Sequence, residues 1–220
     1  MPQPQVRALL FDFDGTLADT AADLCTAVNR LRLERGLLAL PEAEARPFAS
    51  SGARGLLRVA FGLTPEQAEY DAMRDAFLEN YASCLCERTA LFPGIAQLLE
   101  HLAARDIAWG IVTNKATRFT ERIVAELGLS PGCVVCGDTT PHSKPHPAPL
   151  LHAAQALALA PGSCWYVGDD LRDIQAARAA GMRSVAVEYG YSGTDNGGPH
   201  SWKADAVITH PLDLLAQLDA

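Results

Sequence analysis

Short apolar runs bounded by turn residues recur through the C-terminal part of the chain, and each is followed by a stretch whose apolar positions return every three or four residues. That alternation predicts βαβ units on a parallel sheet. Residues 107–112 read as a strand, followed by a helix over about 117–127 with Gly128 at its C-cap. Further strands are expected at 133–136, 164–167, 184–187 and 206–208, with helices at about 147–159, before Gly181, and at 212–218. Residues 6–11 form one more buried strand, yet the next strand comes only near Ile107. The long stretch between is helical in pattern. Leu24, Val28 and Leu31 recur at helical spacing before Gly36, and Thr64-Pro65-Glu66-Gln67 reads as a capping box opening a helix that runs to about Cys86. A doubly wound, Rossmann-like α/β core of residues 1–16 and 90–220, with an all-helical cap inserted at 17–89, satisfies both patterns. Residues 191–201, rich in Gly, Asn and Ser, read as a loop.

Composition narrows the class. The chain has 220 residues, 49% hydrophobic and 20% charged, the balance of a folded domain with a sizeable core. No apolar run approaches the length of a membrane span, and the first residues lack the pattern of a secretory signal, so a cytoplasmic protein with no membrane partner is expected. Lys and Arg total 18 against 26 Asp and Glu, a net charge of -8 that argues against nucleic acid as a partner. The same excess leaves carboxylates available to gather around a cation. The six cysteines are expected to be reduced thiols, mostly buried. A monomer or weak dimer is expected.

In open α/β sheets ligands bind outside the carboxyl ends of the strands, so the residues just after each strand carry the information. They are Asp12-Phe13-Asp14-Gly15-Thr16, then Thr113-Asn114-Lys115, then Ser143-Lys144-Pro145, then Gly168-Asp169-Asp170-Leu171-Arg172-Asp173. Four polar clusters thus meet on one edge. Asp170 suits either a metal ligand or a helix N-cap, and Arg172 and Arg178 read as solvated helix residues.

The set, a DxDGT element, a Thr after an apolar strand, a Lys-Pro and a GDxxxD in that order, resembles the haloacid dehalogenase superfamily of phosphatases across essentially the whole core. The resemblance implies that Asp12 attacks phosphorus and forms an aspartyl-phosphate, with Asp14 as general acid and base. It implies Mg²⁺ held by Asp12, by Asp169 and by Asp14 through its backbone carbonyl. Lys144 would pin the nucleophile and a phosphate oxygen, Thr113 and Asn114 would bind the transferring group, and Asp173 would support Lys144 or metal-bound water. Gly15 and Thr16 would lead into the cap, with Thr16 beside the substrate. His142 and His146 flank Lys144 but receive no role, since Asp14 fills it.

Within the insertion, Ser50-Ser51-Gly52-Ala53-Arg54-Gly55 reads as a glycine-bearing turn. In phosphoglycolate phosphatase-like members a loop of this kind faces the site, which makes Gly52 and Arg54 candidates for substrate binding, Arg54 through a carboxylate and Arg46 as a weaker second. The runs Val112-Thr113-Asn114-Lys115 and Lys144-Pro145-His146-Pro147 are similar to phosphoglycolate phosphatases. Residues 52–54, 167–174 and 189–202 resemble N-acetylmuramic acid 6-phosphate phosphatases. The implied activity is Mg²⁺-dependent hydrolysis of a small phosphate monoester. A phosphosugar mutase of the same superfamily and a non-catalytic phosphate-binding module are the alternatives.

Overall fold

Four consecutive apolar residues, Ala8–Phe11, form strand β1, and all four are fully buried in the computed structural model, which describes residues 5–191 and 197–219. A strand with no polar alternation needs cover on both faces, the condition of a central strand in a parallel sheet. β1 pairs in parallel with β4 (Ala108–Val112) on one side and β6 (Cys164–Gly168) on the other. With β5 (Val134–Val135), β7 (Arg183–Val187) and β8 (Ala206–Ile208), the sheet runs β5-β4-β1-β6-β7-β8. The chain builds outward from β1 through β4 to β5, then returns to β6 on the opposite side. The direction of winding reverses at β1, and a crevice opens at the carboxyl ends of β1, β4 and β6.

Side chains of β1 alternate between two apolar layers. Leu9 and Phe11 pack with Ile95 and Leu98 of α5 (Ile95–Ala104) and Phe119 and Ile123 of α6 (Thr117–Glu126). Ala8 and Leu10 pack with Leu150 and Ala153 of α7 (Ala148–Ala156) and Ala176 and Ala177 of α8 (Leu171–Ala179). A last helix, α9 (Asp213–Leu218), closes the described chain. No helix among the described residues is long and apolar enough to cross a membrane.

Between β1 and β4 the chain leaves the sheet and returns through a two-stranded antiparallel ribbon, β2 (Ala18–Asp19) against β3 (Ala90–Leu91). The segment it brackets holds α1 (Ala21–Glu34), α2 (Glu42–Ala45), a 3₁₀ turn at Arg46–Ser51, α3 (Gly52–Phe61) and α4 (Tyr70–Ser83). Leu24, Val28 and Leu31 of α1 are buried with Leu56, Leu57, Phe77 and Tyr81, as the helical spacing predicts.

The expected helix over 64–86 is shorter. The reach-back bond of the capping box forms, with Thr64 N–H donating to Gln67 Oε1 at 2.6 Å, but it closes a turn and α4 begins only at Tyr70. Residues 65–69 are all exposed, and without a buried face a cap alone does not hold a helix. Residues 50–55 are likewise the junction of the 3₁₀ turn with α3, bent at Gly52 (φ +54°), and not an open loop. The loop expectation at 191–201 falls in part on residues 192–196, which lie outside the described residues, and its end, Pro199–Ser201, is wound into a 3₁₀ turn.

Candidate active site

The crevice is a cavity of about 300 Å³, at the small end of the range for ligand sites. Asp12, Asp14, Thr113, Asn114, Lys144, Asp170 and Asp173 line one side. Leu24, residues 49–53, Phe77, Leu78 and Tyr81 of the helical segment line the other.

Asp12 stands just past the end of β1, where the last sheet hydrogen bond runs from its N–H to Val167 O. Its carboxylate accepts from Phe13 N–H at 2.7 Å and pairs with Lys144 Nζ at 2.8 Å. Lys144 also reaches Asp173 at 2.8 Å and donates to the Tyr166 hydroxyl at 2.7 Å, with only 2% of its side chain exposed. Burial alone would push this ammonium down in pKa, but Asp12 and Asp173 outweigh it and hold Lys144 charged. Asn114 fixes the lysine from behind. Its amide donates to Lys144 O and its carbonyl accepts from Lys144 N–H, both at 2.9 Å, so the loop after β5 is clamped to the end of β4.

Asp14 turns to a different cation. Its carboxylate takes Lys115 Nζ at 2.9 and 3.2 Å and accepts from the Thr20 hydroxyl. Burial would lower Lys115, and Asp14 more than offsets it. The two aspartates therefore sit in separate ion pairs, one per lysine.

Asp169 is fully buried and receives three donors: Tyr191 N–H at 2.9 Å, Ser50 hydroxyl at 2.7 Å and Thr16 hydroxyl at 3.3 Å. Thr16 is itself fully buried and off the cavity wall, so it positions Asp169 where substrate contact was expected. Two glycines make the fit. Gly15 (φ +83°) and Gly190 approach so closely that a Cβ on either would overlap Asp169. Gly190→Ala is expected to cost about 1–3 kcal/mol of stability and, by displacing Asp169, about 100-fold in turnover, read by thermal melting and steady-state kinetics.

Asp12, Asp169 and Asp173 each offer an oxygen, and these atoms all lie within 4.8 Å of one another. Burial, and then Asp12 and Asp173, hold the Asp169 carboxyl well above the usual carboxylate range. Asp173 is raised by burial as well, with Lys144 opposing. Three acids cluster beside one lysine that pairs with two of them, so negative charge is in surplus. Hard oxygen donors with surplus charge fit a small divalent cation such as Mg²⁺.

Asp170 proves to be the N-cap of α8, accepting from Arg172 N–H at 2.9 Å, while Asp173 accepts from Asp170 N–H at 3.0 Å in a reciprocal box. Of its two expected roles it takes the cap and stays outside the acidic cluster. Arg172 is not a solvated helix residue. It pairs with Asp170 at 2.8 Å and donates to Ser50 O at 2.9 Å, so Ser50 ties the 3₁₀ turn to both Asp169 and Arg172.

Gly52 lines the cavity, but Arg54 does not. The helical advance from Gly52 carries Arg54 to an exposed position near Glu66 and Tyr70. Arg46 is taken too, bidentate to Asp19 at 3.0 and 2.8 Å and stacked over Tyr191. The rings of His142 and His146 lie against each other at a tilt, 4.4 Å between centroids, off the cavity wall. All six cysteines are free thiols, and burial raises the pKa of each.

Three comparisons bear on this arrangement. The haloacid dehalogenase-like hydrolase family matches residues 9–187. An N-acetylmuramic acid 6-phosphate phosphatase of Pseudomonas putida is 42% identical over 98% of this chain and 97% of its own. A phosphoglycolate phosphatase of Xanthomonas campestris is 44% identical over 94% of each. Among solved structures, one from Haemophilus somnus described as a predicted phosphoglycolate phosphatase superposes with a TM-score of 0.84 at 28% identity, covering 97% of this chain and 98% of that one.

Proposed function

The chain belongs to the haloacid dehalogenase-like hydrolases and is a phosphatase among them, and from that premise we propose that it hydrolyses a small carboxylate-bearing phosphate monoester, phosphoglycolate or N-acetylmuramic acid 6-phosphate, through an aspartyl-phosphate. The observation that carries this reading is the Asp12–Lys144–Asp173 arrangement at the floor of the cavity.

Asp12 Oδ attacks phosphorus in line, and the ester P–O bond breaks as the Asp–P bond forms. A carboxylate and a phosphate dianion repel, so the site must cancel charge. Lys144 supplies part of it, and the Thr113 hydroxyl and Asn114 N–H face the transferring group. Asp14 gives a proton to the leaving alkoxide and then takes one from the water that cleaves the Asp12–P bond, restoring free Asp12 and releasing phosphate. Lys115 and Thr20 orient Asp14 for both steps. Asp12 and Asp169, with the Asp14 carbonyl, would hold a Mg²⁺ ion, which would supply charge neutralisation at the phosphate. Residues 17–89 serve as a cap that closes the site and reads the rest of the substrate.

Removing divalent cations with a chelator is expected to lower turnover about 10³-fold or more, with recovery on adding Mg²⁺. Full activity after exhaustive chelation would remove the cation from the reading. Substrate choice is tested by steady-state comparison of phosphoglycolate, N-acetylmuramic acid 6-phosphate, hexose phosphates and nucleoside monophosphates. A large kcat/KM preference for one of the first two is expected, and no preference, or none of the panel hydrolysed, would contradict it.

A further inference from the structure

Four basic side chains stand on the cavity wall: Lys115, Arg118, Lys144 and Arg172. Three are neutralised by acids of the site itself. Lys115 pairs with Asp14, Lys144 with Asp12 and Asp173, and Arg172 with Asp170. Arg118, in the first turn of α6, has no carboxylate within ion-pair distance among the described residues, and its guanidinium lies 4.5 Å over the ring of Phe119. Depth separates it from the two lysines. The Lys115 and Lys144 side chains are 8% and 2% exposed, whereas Arg118 is an exposed residue at the rim.

The remaining charge on the wall is acidic: Asp12, Asp14, Asp170 and Asp173. A substrate that lodges its phosphate at Lys144 and carries a second anion finds repulsion from these groups and apolar surface at Phe77, Leu78 and Phe119. Arg118 is the cation left to receive that anion. Stacking on Phe119 limits the freedom of the guanidinium before binding, so less entropy is lost when it engages a planar carboxylate with two parallel N–H donors.

We propose that Arg118 is a specificity-determining residue that pairs with a carboxylate carried by the substrate away from its phosphate. The role expected of Arg54 falls to a residue of the sheet's own α6, on the opposite wall. The inference rests on the phosphatase reading above.

Two substrates that differ only in a carboxylate-bearing arm test it. N-acetylmuramic acid 6-phosphate is N-acetylglucosamine 6-phosphate with a lactyl ether added, so the ratio of their kcat/KM values isolates the contribution of that group. Both are measured on the same preparation, which removes any difference in folded fraction. The wild-type protein is expected to favour the carboxylate-bearing member. Arg118→Ala should lower that ratio about 10- to 100-fold, the range for a lost charge-assisted pair, and Arg118→Lys should restore part of it. An unchanged ratio in Arg118→Ala overturns the proposal. So does an equal fall on both substrates, which would mean that Arg118 serves the shared phosphate. Absence of phosphate release from any monoester by the wild-type protein would instead strike the phosphatase reading.

Discussion

Asp12→Asn is expected to lower phosphate release about 10⁴-fold or more with every substrate while leaving the fold in place. The amide has the shape of the carboxylate but neither its charge nor a lone pair able to displace an alkoxide from phosphorus, and losing a covalent nucleophile costs on this scale. Structure should survive because Lys144 keeps a second acid, Asp173, at 2.8 Å. The check is a progress curve with a generic aryl phosphate beside a melting curve of the same preparation. Turnover that persists within about 10-fold of wild type, on a protein that melts normally, would remove Asp12 from the nucleophilic role.

Lys144→Ala should show the opposite balance, a large loss of both activity and stability. The ammonium is the one basic group shared by Asp12 and Asp173, and Asp169 lies in the same cluster. Deleting it leaves buried carboxylates facing one another, and breaking a buried pair from one side costs about 3–5 kcal/mol. For a chain of this size that is a fall of roughly 6–20 °C in melting temperature. Activity should fall by about 10³-fold, since both the aim of Asp12 and the screening of the incoming phosphate depend on this charge. Mg²⁺ should recover more stability in Lys144→Ala than in the wild type, because the acids it would bind have lost their competitor. A melting temperature within 2 °C of wild type, a margin of about 1 kcal/mol or less, would show that the acids do not need the lysine.

Strand positions and the convergence of the four clusters were legible because both follow from short-range pattern. Buried parallel strands are unbroken apolar runs, and the first polar residues after them must lie at the carboxyl edge. Asp12, Thr113, Lys144 and Asp169 are found there or in the loops beside it, and Asp173 in the first turn of α8. What escaped was tertiary in origin. Lys115 stood in a cluster already singled out, but its partner Asp14 is 101 positions away in sequence. Ser50 bonds Asp169 across 119 positions, and Tyr191 supplies that carboxylate with a backbone N–H from the far side of β7. No local pattern marks such pairs. Arg172 was nearer to being readable, two residues past an N-capping aspartate, where an arginine can fold back on the cap. Arg54 erred for the converse reason. A glycine-rich string looks like a loop, yet helical advance from Gly52 decides which side chains meet the cavity, and it delivers Gly52 and Ala53 while turning Arg54 out.

The central claim is that phosphoryl transfer passes through Asp12 in two in-line displacements. The stereochemical course at phosphorus tests it most directly, using a phosphorothioate monoester made chiral at phosphorus with one oxygen-18 and hydrolysed in oxygen-17 water, so that the inorganic thiophosphate released is itself chiral. Each in-line displacement inverts configuration, so transfer to Asp12 and then to water gives net retention. Net inversion would mean that water attacks the substrate directly and that Asp12 forms no covalent intermediate.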